Sequence, residues 1–430
     1  MRFVQHICCS LFLLTASLTP VLADMLTLET ALATLEENHP DLMYAQAELD
    51  VAQAELDIAS ASQDPTINLE GILRSGRRST GSKEFASDNS VRLLARKTLY
   101  DFGRSSNAKK AAQLELSARG GDLITALEVR RIEIMQRYFD VLLADFQYTV
   151  DSELMSVYYV SFDQGKDRLE RGQISNLELI KLESRYLDSL EQRNVSAERR
   201  HLTRALLANA MNRPGDMPVE LEDPELAGNQ RLLPDYEILR NVLLDNNPRL
   251  KAQRDMLAAS GKRLESLRAE TGPTLDAELQ ASDYSRTTAL RDNLSAGLIL
   301  SWPLYQGDKT DSRISLEMAQ FNKLQASTEK LKMELTQALL EASLEINQLK
   351  NSARNAARKY VDFRDIELER SRGLYELELK SNLGTAMVGT VEAKMRVRKI
   401  EYQLALRFAR LEALLGKPLI EIENTKGNGE

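Results

Sequence analysis

Cysteine, histidine and tryptophan are scarce in this chain. Its 430 residues include two cysteines, three histidines and one tryptophan. Both cysteines, Cys8 and Cys9, lie in an apolar stretch that carries one charge and ends in Val-Leu-Ala at residue 23, a pattern typical of a cleaved secretory signal. We therefore expect residues 1–23 to be a signal peptide. The mature chain would then have no cysteine, which excludes disulfides and thiol chemistry.

Other absences argue against an enzyme. Beyond the signal peptide the histidines are His39 and His201, and neither has a partner at the spacing of a metal site. No glycine-rich phosphate-binding loop is present. The formal net charge of −8 argues against a nucleic-acid partner. We predict a protein with no catalytic residues, no cofactor and no metal.

Glycine and proline are also sparse, with 20 and 11 residues. Long stretches are rich in Ala, Leu, Glu, Lys, Arg and Gln, a composition typical of long helices and coiled coils. No run after residue 23 is apolar enough for a membrane-spanning helix.

What is present is a duplication. Twice the chain changes from alternating apolar and polar residues, typical of strands, to a long helical pattern. Each change occurs at a Leu-Tyr elbow followed by glycine, with Tyr100 and Gly103 in the first half and Tyr305 and Gly307 in the second. An Asn-x-Pro-x-Leu motif begins at residue 38 and again at residue 246, an offset of 208 residues. We interpret the chain as two tandem repeats of a β-hairpin plus long coiled-coil helices.

These patterns predict the following division. Residues 1–23 are the signal peptide, 24–212 the first repeat, 213–234 a proline-rich linker, 235–418 the second repeat and 419–430 a C-terminal tail. In the first repeat we expect strands at about 65–75 and 90–100 and helices at about 41–62, 104–170 and 177–212. In the second we expect strands at about 273–283 and 293–303 and helices at about 249–271, 309–379 and 388–415.

The predicted strands have the length and alternation of membrane-spanning strands. Each has roughly ten residues, enough to cross a bilayer when tilted, with an apolar and a polar face. Soluble hairpins alternate in the same way, so the signal peptide tips the interpretation toward a membrane. Because four strands cannot close a barrel and an open edge is not tolerated in lipid, other copies must complete the sheet. Two copies give eight strands, a barrel filled by its own side chains, whereas three give twelve.

Over residues 25–418 the chain resembles the TolC family of outer-membrane efflux proteins. The resemblance rests on the two in-register halves, the Asn-x-Pro-x-Leu motifs, a Gly-Pro or Asp-Pro pair before each hairpin, the elbows and two glycine-containing helix tips. It implies an α+β, mostly α fold whose homotrimer forms a 12-stranded barrel with a periplasmic α-helical tunnel. It also implies location in the Gram-negative cell outer membrane, with a periplasmic adaptor and an inner-membrane pump or ABC transporter as partners.

The resemblance further implies a gate and a docking surface at the helix tips. The tip glycines are Gly172 and Gly384, and the acids that follow them are Glu178 and Glu392. The family usually has an acid six residues after the second glycine, where this chain has Thr390. Glu178 and Glu392 are either gate residues or ordinary surface charges. The same two alternatives apply to the two residues that precede the second tip, Tyr375 and Glu378.

Two other classes of protein were considered. A periplasmic adaptor also has a coiled-coil hairpin, but it would show a single hairpin and no duplication. A structural coiled-coil protein without a channel would not need four membrane-length strands. The sequence does not identify the cargo, because drug efflux, metal efflux and type I secretion share such a duct and specificity lies mostly in the pump.

Overall fold

The computed structural model describes residues 25–36, 39–77, 84–286, 291–377 and 382–422. The predicted signal peptide and most of the predicted tail lie outside these residues. The first four tail residues, 419–422, are helical, and Leu419 and Ile422 are buried in the core. The tail therefore begins as a packed helical turn.

The first half of the chain ends in the longest helix pair. Its elements are α1 (Leu28–Ala33), α2 (Pro40–Ala61), β1 (Thr66–Ile72), β2 (Ser75–Gly76), β3 (Ala86–Ser87), β4 (Ser90–Tyr100), α3 (Arg104–Glu170) and α4 (Asn176–Ala210). His39 caps α2, since its Nδ1 accepts from the amide of Asp41 at 3.2 Å and proline occupies the first helical position. At ~1.5 Å per residue, the 67 residues of α3 span on the order of 100 Å.

The second half repeats this order with one break. Its elements are α5 (Tyr236–Asn246), α6 (Pro248–Ala269), β5 (Thr274–Tyr284), β6 (Leu294–Ser301), α7 (Lys309–Gln348), α8 (Arg354–Glu376) and α9 (Leu383–Leu415). A π-helical turn, Leu349–Ala353, lies between α7 and α8 inside the region predicted as one helix at 309–379, and the helical conformation continues through it from Lys309 to Glu376. The return helix, predicted from about 388, begins at Leu383 because Asn382 already occupies its cap position.

The four long strands form one sheet in the order β1-β4-β5-β6, with every neighbour antiparallel. Leu69 lies opposite Leu93, Ala95 opposite Leu279 and Ala277 opposite Leu298, so apolar positions share one face. The short strands β2 and β3 form a separate two-stranded sheet. Within the described residues the sheet is open, with β1 and β6 at its edges.

The helices form a single layer that continues away from the sheet. Near the sheet the order of neighbours is α2-α3-α6-α7, and farther away it is α4-α3-α9-α8. Gly121 allows α3 and α6 to approach closely, because a Cβ there would lie 3.1 Å from Ala252 Cβ and 3.2 Å from the carbonyl oxygen of Pro248. Among the described residues, no helix combines the length and apolar character needed to cross a membrane.

Two apolar clusters lie where the linker meets the helical layer. One, from the second half, includes Leu243, Leu339, Ile346 and Leu404, each almost fully buried. The other joins α1, α3, α4 and the linker around Tyr138. The Tyr138 hydroxyl lies 2.7 Å from the carbonyl oxygen of Leu26 and 2.5 Å from that of Glu222, and burial raises the pKa of Tyr138 to about 12. This buried contact ties the start of the described chain to the linker.

Candidate functional site: a two-faced sheet, two elbows and two helix tips

The main sheet has one apolar face that none of the described residues covers. Side chains on this face are largely exposed, including Leu69 at 73%, Leu298 at 68% and Leu300 at 69%. Burying side chains of this size is worth about 1.5–3 kcal/mol each, so a sheet of this kind is unfavourable in water. The face matches the outward surface of a strand in lipid.

The opposite face carries paired charges. Arg92 contacts Glu70 across β1 and β4, and Arg96 contacts Glu278 at 2.6 Å across β4 and β5. Arg74 pairs with Asp88 beyond the end of β1. These charged pairs thus lie on the face opposite the exposed leucines, as the alternation predicted.

The elbows turn each hairpin strand into a long helix. Gly103 has φ +86° and Gly307 has φ +65°, conformations that favour glycine. At the first elbow the Asp101 carboxylate accepts from the amides of Gly103 at 3.2 Å and Ser105 at 2.8 Å. This carboxylate satisfies amides at the start of α3 that the helix itself leaves unpaired.

The elbow tyrosines do not hold the turns. Tyr305 is 89% exposed, and Tyr100, 57% exposed, makes an edge contact with Phe102 at 4.8 Å between ring centroids. Exposed aromatic rings at the ends of apolar strands are typical of the lipid–water boundary.

The first tip is a tight glycine turn between α3 and α4. Gly172 has φ +70°, and the amide of Gln173 donates to the carbonyl of Arg168 at 2.8 Å, which closes the end of α3. A Cβ at Gly172 would meet nothing within 4 Å. The backbone conformation, and not crowding, therefore explains why position 172 is a glycine.

Glu178 has a structural partner at this tip. Its carboxylate accepts from the amide of Ser175 at 2.9 Å, and the Ser175 hydroxyl accepts from the amide of Glu178 at 3.2 Å. This capping box starts α4. The hydrogen bonds from Ser175 lower the pKa of Glu178, which therefore remains charged at neutral pH.

The second tip differs from the first. Glu378 lies outside the described residues, and Tyr375, 64% exposed, sits near the end of α8. Gly384 is not a turn residue, since it lies in the first turn of α9. A Cβ at Gly384 would lie 2.7 Å from Cγ2 of Val157 in α3, so this glycine lets the second hairpin pack against the first.

Thr390 cannot serve as a substitute for a gate acid. It is buried, and its hydroxyl lies 3.2 Å from the carbonyl of Ala386 and 3.5 Å from that of Arg364. The adjacent Gly389 accommodates the Arg364 guanidinium, whose Cζ would lie 3.1 Å from an added Cβ. An acid at position 390 would therefore face α8 inside the hairpin. Glu392, by contrast, is exposed on α9.

A buried polar cluster at the linker was missed by the sequence analysis. The guanidinium of Arg354 donates to both carboxylate oxygens of Glu401 at 2.8 and 2.6 Å, and Asn229 in the linker donates to the same carboxylate at 2.8 Å. Burial disfavours the charged form, but the bonds from Arg354 and Asn229 outweigh it and hold the pKa of Glu401 below its ordinary value. No local motif marks these residues, which are distant in sequence.

The described residues contain no group of acidic, histidine or cysteine side chains arranged to hold a metal ion. What the geometry defines is a class of protein: an open antiparallel sheet with one exposed apolar face, carried on a single layer of helices about 100 Å long at ~1.5 Å per residue.

The comparisons with known proteins identify the family. The outer membrane efflux protein model matches residues 31–213 and 239–417, so the chain belongs to that family. It is an outer-membrane protein, as the sequence predicted. A search of curated proteins by sequence found no match.

Solved channels share the fold. The outer membrane protein VceC of Vibrio cholerae superposes with a TM-score of 0.74 at 16% identity, over 91% of this chain and 96% of that one. The CmeC outer membrane channel of Campylobacter jejuni gives 0.74 at 14%, over 93% and 88%. The MtrE outer membrane channel of Neisseria gonorrhoeae, in its open state, gives 0.70 at 18%, over 91% and 89%. At these identities the likeness establishes the fold alone.

Proposed function

We propose that three copies of this chain form a duct: a 12-stranded barrel in the outer membrane, continued by a helical tunnel in the periplasm. The duct passively conducts cargo that a periplasmic adaptor and an inner-membrane pump or transporter deliver. The observation that carries this proposal is the open four-stranded sheet with an uncovered apolar face, because unpaired strand edges are too costly in lipid.

The topology supports closure by a rotation. All neighbouring strands are antiparallel and their number is even, so β6 of one copy runs antiparallel to β1 of the next. The helical layer has its free edges on the corresponding sides, with α2 and α4 on the side of β1 and α7 and α8 on the side of β6. One rotation axis can therefore pair the edge strands of neighbouring copies and bring their edge helices into contact at the same time.

The free helix edges carry apolar side chains that suit such contacts. Tyr44, Val51 and Ile58 of α2 recur every seven residues, and each is more than half exposed. Met333 of α7, 67% exposed, lies on the opposite edge. Contact between α2 of one copy and α7 of the next would bury the apolar side chains of both helices.

The assembly is tested by mass and conductance. Light scattering of the detergent-purified protein should give three times the protomer mass, and the protein should form channels in planar bilayers. A monomer with native helix content, or a trimer that conducts no current, would contradict the proposal.

A pair of adjacent variants tests which face meets lipid. Leu298 is on the apolar face opposite Ala277, and Ile299 is on the polar face opposite Asp276. Leu298→Arg should reduce outer-membrane assembly, since arginine in mid-membrane costs about 2–4 kcal/mol per copy. Ile299→Arg should assemble normally. Equal yields from the two variants would show that the sheet does not face lipid.

The partner part of the proposal is tested at the first tip. A photo-reactive residue at position 173, beside the Gly172 turn, should cross-link to the adaptor in cells. The same residue at position 202 of α4, which lies away from the tip, is the control. Cross-links from position 202 but not from position 173 would refute docking at this tip.

A further inference from the structure

One side of α9 carries a row of basic residues that the site described above does not use. Successive residues of this row are three, eight and three positions apart, so they share one side of the helix. The row consists of Arg396, Lys399, Arg407 and Arg410. Three are exposed and Arg407 is half-buried. The overall charge of the chain is −8, so a basic row is a local reversal of sign.

The row lines a groove, which we call the basic groove. Its upper part is a cavity of about 420 Å³ between α3, α7 and α9, with Asp140 and Glu345 in its wall. Its lower part is a second cavity of about 420 Å³ beside Tyr360 and Glu392. Lys399 and Gln403 line both cavities, which makes the groove continuous along α9.

Much of the positive charge in the basic groove is not neutralised. Arg407 pairs with Glu345 at 2.9 Å, whereas Arg410 donates to the neutral Gln136 at 2.9 Å. Arg396 lies 5.5 Å from the centroid of the Tyr360 ring. Within the described part of the chain, no carboxylate lies within 4.0 Å of Lys399.

Three acids, Asp140, Glu345 and Glu392, line the groove with the four basic residues, which leaves an excess of one positive charge in each copy. Burial raises the pKa of Asp140 against the opposing effect of Arg137 and Arg199. Asp140 lies 3.9 Å from Arg137 of the same helix. Glu392, at the lower end, has no basic group within 4.0 Å among the described residues.

The position of the linker indicates which side of the helical layer this is. Asn229 and Asp223 in the linker bond to Glu401 and Tyr402 of α9. At about 100° per residue, Glu401 lies about 160° around the helix from Lys399 and about 180° from Arg410. Tyr402 lies between the two sides, about 60–80° from these basic residues, and it also lines the upper cavity. A linker of this size on the inner side of a ring would obstruct a duct, so the linker side is the outer side. The basic groove is therefore on the inner side.

We propose that the basic groove lies on the lumenal wall and holds small anions, so that the duct favours anionic cargo at this level. This inference rests on the proposed trimeric duct. Three copies place twelve basic and nine acidic side chains around the lumen, an excess of three positive charges. Lysine and arginine bind carboxylate and phosphate groups through charge-assisted hydrogen bonds, and rings of like charge select ions in channels.

Two variants with the same change of charge test the proposal. Lys399→Gln removes a cation from the groove. Lys394→Gln removes one from the linker side of α9, since Lys394 lies seven residues before Glu401. The chloride/potassium permeability ratio is obtained from the reversal potential of the purified full-length protein in planar bilayers under a KCl gradient. Lys399→Gln should lower this ratio at least about twofold, the effect of a single unit charge acting across ~10 Å of water, and Lys394→Gln should not change it.

Inorganic phosphate provides a second measurement. Millimolar phosphate should reduce the chloride current of the parent protein and of Lys394→Gln, and the reduction should be weaker for Lys399→Gln. If the parent protein conducts current but Lys399→Gln and Lys394→Gln have the same permeability ratio and the same phosphate block, the proposed role of the basic groove is wrong. The proposed duct would still stand. A parent that conducts no current overturns the duct itself, and this inference with it.

Discussion

The buried pair Arg354–Glu401 should contribute much more to stability than an exposed pair on the same helix. Their side chains are 10% and 16% exposed, and the nitrogen–oxygen distance is 2.6 Å. Removing one partner of a buried pair costs about 3–5 kcal/mol, because the other charge remains buried without compensation. In Glu401→Gln the amide oxygen still accepts one hydrogen bond, so we expect about 3 kcal/mol, the lower end of that range.

The matched control is Glu345→Gln. Glu345 pairs with Arg407 at 2.9 Å, and both side chains are more than a third exposed. Exposed pairs are worth about 0.2–1 kcal/mol. Both variants change one glutamate to glutamine in a pair that joins α9 to the neighbouring helix. They differ mainly in burial.

The assay is loss of helical circular dichroism on heating in detergent, at one scan rate. With an unfolding entropy of about 2.1 cal/mol/K per residue, 3 kcal/mol lowers the midpoint of a chain of about 400 residues by about 4 °C. Glu345→Gln should lower it by about 1 °C or less. Equal shifts in the two variants would refute the argument that burial makes the Arg354–Glu401 pair costly to break.

The same pair sets a pH dependence. The pKa of Glu401 is lower in the folded protein than its ordinary value of 4.5. Its contribution is therefore fully present above pH 4.5 and is lost as the pH falls through the folded pKa. Between neutral pH and about pH 3, the midpoint should fall more for the parent protein than for Glu401→Gln, which has no carboxyl group to protonate at this position.

Three further predictions concern the tips. Gly384→Ala should destabilise the protein by about 1–3 kcal/mol in the same melting assay, because the added methyl group would clash with α3. The control is Gly373→Ala, which should be neutral or stabilising because a Cβ there meets nothing within 4 Å. Gly172→Trp should block export in cells while leaving trimers intact on native gels; normal export would mean that this tip does not dock. Glu178→Gln combined with Glu392→Gln should raise single-channel conductance and weaken block by multivalent cations, and unchanged values would place the gate elsewhere.

Glutamine is the suitable replacement at position 178 because the capping box accepts it. A glutamine side chain at the third helical position can still accept from the Ser175 amide. Alanine would remove the cap and the charge together, and capping losses of about 0.5–2 kcal/mol would confuse the result. The glutamine variant changes the charge alone.

The strands and elbows were predictable because their signals are local. Alternation with a period of two fixes which side chains share a face, and the structure places Leu69, Leu93 and Leu298 on one face. Gly103 and Gly307 have left-handed conformations that other residues rarely adopt, so a glycine after each strand is informative. The pairing of β4 with β5, which joins the two hairpins into one sheet, carries no such local signal.

The π-helical turn and the linker cluster could not be predicted for the same reason. An apolar repeat continues through Leu349–Ala353, so the pattern predicts an uninterrupted helix. In the structure the ammonium group of Lys350 donates to the carbonyl of Arg231, and Arg354, directly after the turn, reaches Glu401. These partners come from the linker and from α9. The local sequence does not reveal these tertiary contacts, which flank the π-helical turn.

Gly172 and Gly384 show how one residue type at equivalent positions can have two causes. Both glycines lie near a hairpin tip, and the duplication suggested one explanation for both. Gly172 has a positive φ and open space around it, whereas Gly384 is helical and lies against Val157. The difference follows from the helical layer, because α9 packs between α3 and α8 whereas α4 packs mainly against α3. A glycine at the start of α9 therefore relieves crowding that the first hairpin does not have.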